Sequence, residues 1–61
     1  MSHYRMLGKI YDEEGIRKAL RSEIVEIEQC MRDSGAKNPH VDLEDYLTES
    51  VHTGTIEVVD L

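Results

Sequence analysis

From His3 to Tyr11 apolar and polar residues alternate with a rough period of two. Tyr4, Met6 and Ile10 would point one way and Arg5, Leu7 and Lys9 the other, which predicts a strand. Gly8 interrupts the first set and suits a bulge or a close backbone approach. At Asp12 the period changes. Ile16, Leu20, Ile24, Ile27 and Met31 follow one another at spacings of four, four, three and four. At 100° per residue these five fall within an arc of about 80°, the apolar stripe of an amphipathic helix. Ala19 and Cys30 widen that stripe on one side, and Val25 lies opposite it. Asp12 serves as the N-cap, Glu13 and Glu14 sit in the first turn where the dipole favours acids, and Ser34-Gly35 provides the stop. The predicted helix has about five or six turns and is about 30 Å long. Glu13–Arg17, Glu14–Lys18 and Glu28–Arg32 stand four residues apart with the acid first, the favourable order for pairs along one helix.

Lys37-Asn38-Pro39-His40 is a connector, because proline lacks the amide donor and pushes Asn38 out of the helical region. A second helix starts with Asp42 as cap and Glu44 and Asp45 in its first turn. Leu43, Tyr46, Leu47, Ser50 and Val51 line one side, and Thr53-Gly54 closes it. Thr55 to Leu61 is rich in β-branched residues and predicts a final strand, with Ile56 and Val58 on one face and Val59 and Leu61 on the other. The expected fold is therefore one α+β domain, residues 1–61, ordered β-α-α-β. A long and a short antiparallel helix would pack on a small sheet formed by the two terminal strands. A two-stranded sheet is marginal alone and leaves both edges open. The second helix reaches about half the length of the first, so part of the long apolar stripe stays uncovered. Leu20, Ile24, Ile27 and Met31 are accordingly expected to drive self-association, with a homodimer completing the fold.

Length sharpens that expectation. A chain of 61 residues buries only about 60% of the surface it exposes when unfolded. Its single cysteine, Cys30, cannot form an internal disulfide, which excludes the stapled secreted mini-proteins. Arg5 and Lys9 break up the apolar residues at the amino terminus, so no signal-peptide core is expected, and no stretch approaches the ~20 apolar residues of a membrane span. These features predict a soluble, cytoplasmic protein.

Charge changes the picture further. Thirteen acids against seven Lys and Arg give a net −6, and beyond Lys37 there is no base at all. Residues 35–61 alone carry −5. That balance argues against direct nucleic-acid binding, which needs clustered Lys and Arg, and a mixed-sign first helix argues against a membrane surface. His3, Cys30, His40 and His52 do not stand at metal-ligand spacings, so neither a metal nor another cofactor is expected. Ser50 and His52 lack the context of a nucleophile, and no catalytic residue is assigned. Glu23 lies at the margin of the apolar stripe, where a carboxylate needs a neighbour or the rim. The leading expectation is a non-enzymatic regulator or inhibitor that occludes a basic, nucleic-acid-binding type of surface on a larger protein. Asp42, Asp45, Glu49, Glu57 and Asp60 form its expected contact set. The alternative is an accessory subunit that docks through the apolar stripe of its long helix.

Overall fold

The computed structural model describes residues 2–61. They form an α+β unit of three strands and two helices: β1 (Ser2–Met6), β2 (Lys9–Tyr11), α1 (Glu13–Asp33), α2 (Leu43–Thr53) and β3 (Glu57–Asp60). The sheet is antiparallel throughout, in the order β2-β1-β3. The pairing of the chain's two ends is thus as expected, Tyr4 facing Val58 and Arg5 facing Glu57.

The amino-terminal segment departs from the single strand read from its alternation. It folds back on itself as a hairpin, with Met6 facing Lys9 and Tyr4 facing Tyr11. Leu7 and Gly8 are the two turn residues, and both have positive φ, 53° and 79°. Two consecutive left-handed residues match the right-handed twist of the flanking strands, so Gly8 makes a turn and not a bulge. Asn-Gly is the usual signal for such a turn, and Leu-Gly hides it. The turn also shifts the phase of alternation. Ile10 faces Arg5 across the ladder and shares its side of the sheet, while Lys9 and Tyr11 share the side of Met6 and Tyr4.

Both helices start and stop where the capping residues predict. The Asp12 carboxylate accepts from the Gly15 amide at 2.6 Å, and Asp42 accepts from the amides of Glu44 and Asp45 at 3.0 and 3.2 Å. At the end of α1 the Ala36 amide donates to the Met31 carbonyl at 2.9 Å and the Gly35 amide to the Arg32 carbonyl at 3.0 Å. This double closure needs a left-handed residue between, supplied by Gly35 at φ 106°. The expected pairs within α1 are replaced by ties between elements. Arg17 grips Glu44 through two bonds, 2.9 and 3.1 Å, and also donates to the Glu13 carbonyl. The Glu28 carboxylate accepts from the Val41 amide at 2.9 Å. As the chain advances from Val41 to Tyr46, its neighbours on α1 retreat from Glu28 to Glu23, an antiparallel course.

The core is small. Met6, Ile16, Leu20, Leu47 and Ile56 are buried together, with Tyr4, Tyr11, Ala19, Leu43, Tyr46 and Val51 packed around them. Ile16 and Leu20 are fully enclosed between the helices and the sheet, and Ile56 is held there by its amide bond to the Ser50 carbonyl. Arg5 and Glu57 make a cross-strand ion pair at 3.0 Å on the other side of the sheet. Among the described residues, the outer edge of β3 is unpaired.

Two outcomes follow from this packing. Leu7 sits in a backbone region that costs a side chain with a Cβ about 1 kcal/mol, and asparagine tolerates that region best. Leu7→Asn should therefore raise stability by up to about 1 kcal/mol in urea denaturation; a loss of stability would show that the leucine makes a contact the turn depends on. Hydrogen bonding to Arg17 holds the Glu44 carboxyl below its ordinary range. A depressed carboxyl stabilises the fold above the unfolded-state value, and that contribution fades as pH falls through the folded one. Glu44→Gln should thus be less stable than the parent at neutral pH and equal to it in strong acid, followed by denaturation at a series of pH values.

Candidate functional site

A stripe of apolar side chains on α1 is buried only as far as its neighbours extend. Ile16, Leu20 and Ile24 are covered, Ile27 is half-buried, and Met31 is 38% exposed. Beyond Ile24 the helix runs past the core, and the molecule is correspondingly elongated, 42 × 19 × 18 Å. The distal half of α1 borders an open groove of about 670 Å³. Its apolar lining comes from Ile27, Cys30 and Met31 of α1, Ala36 beyond the helix stop, and the ring of Tyr46 from α2. Glu23, Glu26 and Ser34 complete the lining. The Schellman closure positions Ala36, since the bond from its amide to the Met31 carbonyl folds the chain back beside Met31.

Tyr46 joins the core to the groove. Burial pushes its phenol up from the ordinary value, and the Glu23 carboxylate pushes in the same direction. The hydroxyl therefore keeps its proton at neutral pH and remains a donor. This places Glu23 at the rim beside a phenol, one of the positions anticipated for a carboxylate at the stripe's edge. Cys30, which widens the apolar stripe, is nevertheless exposed in the groove, because α2 is too short to reach that turn.

The acidic residues expected to form one contact face are divided. On α2 at 100° per residue, Asp42, Glu49 and Asp45 succeed Tyr46 around the helix at about 40°, 60° and 100°. None of the three lines the groove; they lie beyond Tyr46 on the side of α2 turned away from Leu43, Leu47 and Ser50, while Glu44 faces Arg17. Asp42 is engaged as a cap, and Asp45 and Glu49 are exposed. Glu57 is neutralised by Arg5 on the far face of the sheet, and Asp60 lies at the end of β3 opposite Ser2. Among the described residues, the ion pairs are Arg5–Glu57 and Arg17–Glu44. Glu23, Glu26, Asp45 and Glu49 take no part in them. Of the four residues assigned to apolar docking, Leu20 and Ile24 lie inside the chain's own core, and Ile27 and Met31 are in the groove. The sequence reading missed Tyr46 and Ala36 as groove residues. Tyr46 read as core alone, and Ala36 had no signal beyond the glycine preceding it.

A smaller cavity of about 310 Å³ lies where β2 passes into α1, among Ser2, His3, Asp12, Glu13 and Glu14. The Nδ1 atom of His3 is buried without a hydrogen-bond partner among the described residues. No group of three or more His, Cys, Asp or Glu among them is placed to hold a metal ion, and none of their helices is long and apolar enough to cross a membrane. The chain matches no family model, no curated protein and no solved structure.

The boundary between core and groove can be measured. Leu20→Ala should cost about 3 kcal/mol, as for a fully enclosed leucine, and Ile27→Ala about 1 kcal/mol or less. Equal losses in chemical denaturation would mean that Ile27 belongs to the core after all.

Proposed function

We propose that this protein is a non-enzymatic binding module that acts by occupying a surface on a larger protein, through the groove along the distal half of α1. One observation carries the reading: an apolar floor open to solvent, lined also by the carboxylates of Glu23 and Glu26, which form no ion pair among the described residues. Apolar contact supplies the driving force for association, since burying Ile27, Met31 and the Tyr46 ring removes surface that the fold itself leaves wet. The acids supply selection. Glu23 and Glu26 on one side and Asp45 and Glu49 on the α2 flank favour a partner bearing Lys or Arg and repel an acidic one. A basic surface of the kind that holds nucleic acid answers that description, and blocking it would make the protein an inhibitor.

The divided acids favour this form of the proposal over docking by charge alone. Glu57 already has a cation, and Asp42 already caps a helix. A partner held only by carboxylates would meet Asp45 and Glu49 with little apolar contact beneath them, and exposed charge pairs contribute modestly to affinity. In capture from the native host, the parent protein should retain a partner that Ile27→Asp loses and that elutes earlier as salt rises. Asp45→Lys combined with Glu49→Lys should weaken retention without abolishing it. Undiminished retention by Ile27→Asp would refute the groove as the docking surface.

A further inference from the structure

We infer that the groove receives an amphipathic helix of about three turns, apolar along one side and bearing Lys or Arg on the flank that meets Glu23 and Glu26. This rests on the reading of the groove as the docking surface, and it adds the conformation and charge of the occupant.

Backbone chemistry separates a helical guest from an extended one. The groove is built by α1, by the turn that closes it and by the side chain of Tyr46. Within α1 the amides and carbonyls bond to one another, and the last carbonyls are closed as well: Cys30 accepts from Ser34, Met31 from Ala36 and Arg32 from Gly35. A strand laid here would find no ladder to join, and its own amides and carbonyls would lie unpaired against an apolar floor. A helix arrives with its backbone already satisfied. Dimensions agree with this. From Glu23 to Ser34 the floor extends about 16 Å at 1.5 Å per residue, room for three helical turns. Ile27 and Met31, four residues apart, form a ridge of the type that packs between the side-chain rows of another helix.

Charge decides against a second copy as the occupant. Glu23 and Glu26 stand one turn apart on the rim and have no ion-pair partner among the described residues. Between residues 21 and 37 the chain offers Arg21, Arg32 and Lys37 against Glu23, Glu26, Glu28 and Asp33, so two distal halves brought together would each carry an excess of acid and repel. The guest must supply the cations.

The test uses the full chain and synthetic peptides, with the methyl resonances of Ile27, Met31 and Ala36 as the readout and circular dichroism for helix content. One blocked peptide of about 14 residues carries Leu at i, i+4 and i+7 with Lys on the adjoining flank. A second has the same composition with a central proline. The helical peptide should shift all three methyl signals and gain helicity on binding. Glu23→Lys with Glu26→Lys should weaken it roughly tenfold or more, since like charges then face each other. Equal binding by the proline peptide would overturn the helical guest while leaving the groove as a docking surface. Silence of the groove methyls with both peptides would overturn this inference and the docking surface together. Groove signals that move with protein concentration alone would identify a second copy as the occupant and refute the inference. Binding indifferent to the double charge reversal would refute it too.

Discussion

A helix buries its apolar stripe only as far as other elements run beside it, and this chain has too little other material to match α1. Twenty-one residues of helix meet an eleven-residue helix and a sheet whose strands are five, three and four residues long. The mismatch orders the rest of the molecule. Where the sheet and α2 reach, Ile16 and Leu20 are sealed; where they stop, the same stripe becomes a wet groove. Sealed core and open groove are thus two ends of one side-chain pattern, distinguished by what lies across from each residue.

The charged residues reinforce this division. Arg17 and Glu28 tie α2 and its approach to α1, and Arg5 ties β1 to β3. Their partners are carboxylates, or an amide, of another element. Among the described residues, the carboxylates of Glu23 and Glu26 in the groove lining take part in no ion pair. A small acidic protein needs some of its charge for solubility, and here the acids outside the ion pairs include Glu23 and Glu26 of the groove lining.

Most of the fold was legible in the chain, since its strongest signals are local. The caps at Asp12 and Asp42, the stop at Gly35 and the spacing of Ile16, Leu20 and Ile24 act within a few residues and mark both helices. The β1–β2 hairpin was not legible, because Leu7 occupies a left-handed position that leucine seldom adopts and the rough alternation resumes at Ile10 after the single interruption at Gly8. Ion pairing was misread for a related reason: Glu13 lies four residues from Arg17, but the bidentate geometry with Glu44 is better and depends on tertiary placement. The uncovered end of the stripe could be expected from helix lengths alone. Its composition could not, since Tyr46 and Ala36 reach it only once α2 and the closing turn are in place.

The open edge of β3 carries an acid at each end, Glu57 and Asp60. A second β3 laid antiparallel and in register along that edge would set Glu57 of one copy against Asp60 of the other, twice over; like charges directly opposite each other destabilise such a ladder, though less so where each Glu57 is paired with its own Arg5. Charge and the four-residue length of the strand thus both work against edge-to-edge pairing in that register.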